Sequence, residues 1–205
     1  MLRRERERHE DDLGSKGKMI HVFYNKYTDS NPERDDELTT ALNRNLELPI
    51  YYHQLLGRPT FTDIFSQANT VSDGDIAVII NSDCFLVPES LPPLEAMPPH
   101  HVYALTRWDV QKDGSLKFFA KCPSQSADCW AFRVCGPPIV LEYPQGTPAC
   151  DQRLARLIHD SGWEISNPSL TIRVAHLHHS RVRRYSIPRD NVPPPYWPVP
   201  PCELA

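Results

Sequence analysis

Apolar and polar positions along this chain follow two periods, about 2 and about 3.6, and the changes from one to the other mark its elements. MIHVFYN (19–25) is a β-branched and aromatic run that predicts a strand; the polar turn NKYTDSNPERDD follows, and DDELTTALNRNL predicts a helix. IYYHQLL (50–56) predicts a second strand, and TFTDIFSQANTV (60–71) a helix whose Phe61, Ile64, Phe65 and Ala68 form one apolar stripe. After SDGD comes IAVII (76–80), a continuous apolar run suited to a central strand covered on both faces, and it ends abruptly in Asn81, Ser82 and Asp83. Beyond a proline-broken connection (88–99), HVYALTRWD, a hairpin turn at QKDGS, LKFFAKC and DCWAFRV (128–134) read as strands. ACDQRLARLIHDSGW (149–163) is a helix with Leu154, Leu157 and Ile158 on one face and Gly162 as its stop, and LTIRVAHLHH (170–179) is a late strand. No internal repeat is present. The alternation of strands and helices in the first half predicts an α/β sandwich around a mostly parallel central sheet, in a single domain.

Composition refines this picture at the two ends. With 205 residues, 40% of them hydrophobic, the chain is long enough to bury a real core, which excludes collagen-like, wholly disordered and membrane-embedded classes. Seven of its 21 prolines lie between Pro188 and Pro201, so the tail is extended or polyproline II in character. Residues 1–17 mix both charge signs without apolar periodicity and read as a charged, flexible leader; 18–187 form the folded unit and 188–205 a proline-rich strap. The leader lacks an apolar signal-peptide segment and no stretch approaches a membrane span, which predicts a cytoplasmic protein, or one of the host cytoplasm if the source is viral. A net charge of −4 argues against tight nonspecific binding to nucleic acid, so a polyanion would need a local basic patch. Six cysteines without a C-x-x-C pair read as reduced thiols, and Cys122, Cys129 and Cys135 lack the close spacing of a zinc site.

Four groups of residues could carry chemistry. Asp83 stands at the carboxyl end of a buried strand, where open α/β sheets bind ligands, and one carboxylate there can hold a divalent cation against a diphosphate. A carboxylate that only caps the next turn is the structural alternative. Asp128 starts a strand and Asp151 a helix, so both can face a cleft; a solvated turn and a helix-terminal carboxylate are the alternatives. On a strand His176 and His178 share one face and suit a metal or a phosphate, although such a pair also serves as ordinary hydrogen-bonded histidine. Arg181, Arg183 and Arg184, followed by Arg189, offer guanidinium forks for phosphate or acceptor, or a solubilising surface.

The segments FYNKYTDSNPERDDELTTALNRNLELPI, RPTFTDIFSQAN, DIAVIINSDCFL, YALTRWDV, SQSADCWAFR, ACDQRLARLIHDSGWEISNPSLTIRVAHLHHS and VPPPYWPVP, in this order, span residues 19 to 201. Together they resemble a family of small GT-A (nucleotide-diphospho-sugar transferase) glycosyltransferase-like proteins of bacteria and viruses. The resemblance implies a Rossmann-type nucleotide-binding half in which the first strand and loop, Phe23 to Tyr27, flank the base, with Tyr24, Asn25 and Lys26 on the nucleotide-sugar and Arg34 and Arg44 near the nucleotide or supporting it. It implies that Asn81, Ser82 and Asp83 stand for a D-x-D-like motif, with Arg107 and Trp108 also on the nucleotide-sugar. An asparagine holds the first acidic position here, leaving Asp83 as the main carboxylate for Mn2+ or Mg2+. His176 or His178 would be a late metal or diphosphate ligand, and Arg181, Arg183 and Arg184 phosphate or acceptor contacts. Asp151 would be the general base or orient the donor sugar, and Asp128 the acceptor-side or sugar-contacting acid. The implied activity is sugar transfer from a nucleotide-diphospho-sugar to an acceptor hydroxyl, on a glycan or on a hydroxylated base of viral DNA. Two other functions fit the same residues. One is a metal-dependent phosphoester hydrolase that gathers Asp83, Asp128, Asp151 and the histidine pair around metal; the other is a silent interaction protein offering Pro193–Pro201 to a partner's groove, unless Tyr196 and Trp197 pack the tail on its own domain.

Overall fold

A computed structural model describes residues 18–183 and 191–204. The predicted leader, Arg184, Pro188 and Arg189 lie outside the described residues. The chain runs β1 (Ile20–Asn25), α1 (Pro32–Leu46), β2 (Tyr51–Leu55), α2 (Phe61–Ala68), β3 (Ile76–Ile80), β4 (Cys84–Leu86), α3 (Leu91–Glu95), β5 (His101–Leu105), β6 (Arg107–Val110), β7 (Leu116–Phe118), β8 (Cys129–Arg133), α4 (Cys150–Asp160), β9 (Glu164–Ser166) and β10 (Val174–His176).

A six-stranded sheet of order β2-β1-β3-β8-β5-β9 forms the centre, and only β8 runs against its neighbours. The chain is thus α/β with a mixed, mostly parallel sheet, as its strand and helix alternation predicts. β3 is buried along its whole length because both of its faces are covered. Ala77 and Ile79 pack with Phe61, Ile64 and Phe65 of α2 and Leu154 and Ile158 of α4, while Ile76, Val78 and Ile80 meet Leu94, Met97 and Val174 on the opposite side. Neither face could reach water, which is why the run carries no polar alternation.

The second sheet, four strands in the order β4-β10-β6-β7, departs from the sequence reading. HVYALTRWD is two strands: β5 belongs to the central sheet and β6 to the smaller one, with buried Thr106 at the crossing. The Thr106 hydroxyl donates to the carbonyls of Pro123 (2.6 Å) and Ser126 (2.9 Å), and its N–H donates to Asn167 Oδ1 (3.2 Å). These bonds supply the partners that a strand ladder would lose at such a corner. The late run 170–179 contributes only Val174–His176 as strand, and it pairs with β4 and β6. α1 also starts earlier than residue 35: Asn31 accepts the Arg34 N–H as N-cap and Pro32 occupies the first helical turn, a polar start that the apolar pattern hides.

The tail lies along the domain. The N–H groups of Val192, Trp197 and Val199 donate to the carbonyls of Pro148, Gln152 and Ser124 at 2.9, 3.0 and 2.9 Å, and the Trp197 ring stacks on His159 at 3.7 Å. No described helix is long and apolar enough to cross a membrane. All six cysteines are free thiols.

Candidate functional site

A cleft of about 1430 Å³ opens at the carboxyl ends of β1, β2 and β3. One wall is the β1–α1 loop; the floor is the turn Asn81–Asp83 between β3 and β4; the other wall carries Asp128, the 145–149 loop and Asp151 of α4. β6 and the segment after β10 contribute Arg107, Asp109, His176 and His178. The short second sheet has a clear role in this geometry. It sets His176 beside Cys84 in antiparallel register, so the histidine arrives next to the turn that holds Asp83.

One oxygen of Asp83 gathers three cationic or imidazole partners: Arg34 Nη2 at 2.5 Å, His176 Nε2 at 3.3 Å and His178 Nδ1 at 3.6 Å. Burial alone would raise the Asp83 carboxyl, but the hydrogen bonds of His176 and His178 and the charges of His176 and Arg34 outweigh it and hold the group well below the usual carboxylate range. His176 gives its other nitrogen to Asp109 at 2.9 Å, which fixes the ring with Nε2 toward Asp83. His178 Nε2 is buried with no partner among the described residues. The ligand atoms of Asp83, His176 and His178 lie within 4.8 Å of one another, close enough to share one cation. A carboxylate with two imidazoles fits a divalent transition metal such as Mn2+ better than the oxygen-seeking Mg2+. Asp128 and Asp151 are not in this group, so the five-residue cluster of the hydrolase reading is not assembled among the described residues.

The opposite wall is built on Asp128. It accepts from Arg107 Nη1 (3.2 Å), Ser126 Oγ (3.1 Å) and Asn81 Nδ2 (3.1 Å), while Arg107 also binds Asp109 and lies over the Phe119 ring at 4.2 Å. The asparagine at the first position of N-S-D therefore has a physical reason. An aspartate there would turn its carboxylate toward that of Asp128. Asp151 is reached through Ala149, whose φ of 64° is left-handed, and α4 has no side-chain cap. Its carboxylate accepts the Ala127 N–H at 3.4 Å instead. Removal from water, and then the charge of Asp128, push Asp151 up to about 7.

Of the residues predicted for the site, Asn25, Arg34, Asn81, Ser82, Asp83, Arg107, Asp128, Asp151, His176, His178, Arg181 and Arg183 line this cleft. Ser82 donates to the Asn25 carbonyl and ties the floor to β1. Tyr24, Lys26 and Trp108 are not in the lining: Tyr24 packs edge-on against Tyr52, Lys26 is exposed, and Trp108 donates to the Ser169 carbonyl at 2.8 Å. Arg44 is exposed at the far end of α1 beside Glu47. Sequence reasoning missed Asp109, although Arg107 and Asp109 are two apart on a strand and so share a face. It also missed Glu37, which binds Arg34 Nη1 at 3.1 Å and the Ser180 N–H at 2.7 Å, anchoring both the arginine and the chain after β10.

No family model matches the chain, and no curated protein matches it.

Proposed function

We propose that this cleft transfers a sugar from a nucleotide-diphospho-sugar to an acceptor hydroxyl. The observation that carries the reading is one of juxtaposition: an Asp83, His176 and His178 cluster, close enough to share one cation once His176 gives up its proton, faces within one cleft a carboxyl pushed up to about 7. Glycosyl transfer needs charge neutralised on a leaving diphosphate and a base beside the acceptor, and these are two separate groups. A hydrolase using one compact metal cluster would need neither the separation nor the raised carboxyl.

In this reading the β1–α1 loop, with Asn25 and Tyr27, borders the nucleoside, and Asp83, His176 and His178 would hold Mn2+ or Mg2+. The cation would supply positive charge to the diphosphate as it leaves. Arg34 sits against the same Asp83 oxygen, and the exposed Arg181 and Arg183 extend the positive rim. Asp151, ionised above about pH 7, takes the proton of the acceptor hydroxyl. Asp128 keeps Asp151 basic through its charge and is itself held by Arg107 and Asn81.

Thermal unfolding with UDP-, GDP-, CMP- and dTDP-sugars, with and without Mn2+, tests the donor half, since a ligand of the native state raises its stability. The expected result is a metal-dependent rise with one nucleotide class that Asp83→Asn removes. No rise with any donor, together with phosphate release from phosphoesters without an acceptor, would overturn the reading in favour of hydrolysis.

A further inference from the structure

Beside Asp151 lies a second and much smaller cavity of about 10 Å³. Its walls include Asp151 and Gln152 of α4, Ser126 and Ala127 before β8, Trp130 of β8 and Trp197 of the strap. Asp151 and Ser126 also line the main cleft, so they form the partition between the two spaces. The volume is about that of one water position, and a water held in such a place takes two to four polar partners.

Two partners of opposite kind are present. Trp130 is only 1% exposed, and its indole N–H is buried with no acceptor among the described residues. A buried tryptophan normally places that donor against an acceptor, and leaving it bare forfeits the hydrogen bond that water gave it in the unfolded chain. The Asp151 carboxylate has the complementary shortage: its protein donors are the Ala127 N–H at 3.4 Å and the Cys150 thiol at 3.6 Å, both long. Because both residues line the same small cavity, one water there would accept from Trp130 and donate to Asp151.

We infer that this cavity is a built water site, and that Trp130, acting through the bound water, is a positioning residue for Asp151. The inference rests on the reading of Asp151 as base only for its catalytic meaning; the water site stands on its own geometry. A hydrogen bond to the ionised carboxylate favours that form, so the Trp130–water pair lowers the pH at which Asp151 loses its proton, against the upward push of its surroundings. The strap takes part as well. Trp197 and Val199 line the cavity, and their N–H groups bond to Gln152 and Ser124, so the tail is tied to the rim of this water site.

The test uses the full chain and no donor or acceptor. In 15N-labelled protein, the Trp130 indole N–H is expected to show a rotating-frame Overhauser cross-peak to a long-lived water; an indole slow to exchange yet without that cross-peak would overturn the site. In protein labelled at aspartate 13Cγ, with the Asp151 signal assigned by Asp151→Asn, Trp130→Phe is expected to move the Asp151 titration midpoint upward by roughly half to one pH unit. An unmoved midpoint in a folded Trp130→Phe protein would overturn the positioning role. Should that variant not fold, a high-resolution crystal map of the unaltered protein decides, with density between Trp130 Nε1 and Asp151 supporting the site and a dry cavity refuting it. Failure of sugar transfer would refute the functional reading and leave the water site standing, and a dry cavity would do the reverse.

Discussion

Asn81→Asp restores an acid at the first position of the N-S-D turn, and its outcome can be worked out from the contact that Asn81 makes. The amide donates to Asp128 Oδ1 at 3.1 Å. Aspartate loses that donor and faces a second carboxylate across the same gap. At an effective dielectric of about 20, two unit charges at this distance repel by about 5 kcal/mol. Protonating one carboxyl from an ordinary value near 3.9 costs about 4 kcal/mol at pH 7, so the variant binds a proton rather than bear the full repulsion. Asn81 is half-buried and Arg107 also contacts Asp128, so solvent and the guanidinium reduce the penalty to roughly 2–4 kcal/mol at pH 7. The pH dependence carries the sharper signature. The folded state holds a proton that the unfolded state has released, so the stability gap to the unaltered protein is nearly absent below pH 4. It then widens by up to about 1.4 kcal/mol per pH unit until the folded carboxyl itself ionises. Urea unfolding at half-unit steps from pH 4 to 8 measures it. A gap that is constant over this range would refute the Asn81–Asp128 contact and the explanation of the asparagine built on it.

Asp151→Asn is expected to lower acceptor-dependent turnover by about 10²–10⁴-fold while donor affinity stays within a few-fold, measured by steady-state release of the nucleoside diphosphate. The turnover of the unaltered protein should rise through about pH 7 as Asp151 ionises, and a flat acid limb would count against it as base. At the opposite end of β1, His21 bonds His53 at 2.9 Å and Asp75 at 3.2 Å, and burial lowers both histidines. The stability they contribute is therefore complete above about pH 6.5 and lost as pH falls through their folded values; denaturation midpoints should drop on acidification, less steeply in His53→Gln. Trp197→Ala removes the stack on His159 and is expected to cost about 1–3 kcal/mol and to speed proteolysis of the strap; an unchanged cleavage rate would mean that the tail is held elsewhere.

Elements with a strong and continuous pattern were legible in the sequence. The run IAVII announces a doubly covered strand because nothing polar is tolerated on either face, and the polar residues that end it announce the cleft floor. His176 and His178 were readable as a pair because their separation by two survives even where regular pairing stops at His176. The second sheet was not legible. LKFFAKC and LTIRVAHLHH announce β7 and β10 as strands but not which sheet they join, β4 is three residues and too short for a period, and the crossing at Thr106 occurs inside an unbroken strand-like run with no glycine or proline to mark it. The partners of Asn81, Asp109 and Glu37 were hidden for another reason: each meets a residue from a distant part of the chain, and no local spacing encodes that meeting.

Placing Asp83 and His176 beside paired strands has an evolutionary consequence. Their separation is set by the spacing of β4 and β10, which a backbone ladder fixes, whereas the β1–α1 loop and residues 145–149 border the cleft as irregular chain. Loops tolerate insertion and replacement; a hydrogen-bonded ladder whose register faces a buried core does not. The cleft thus divides into a fixed floor and interchangeable walls, and descendants of this chain could exchange what they recognise while the Asp83–His176 arrangement beneath stays in place.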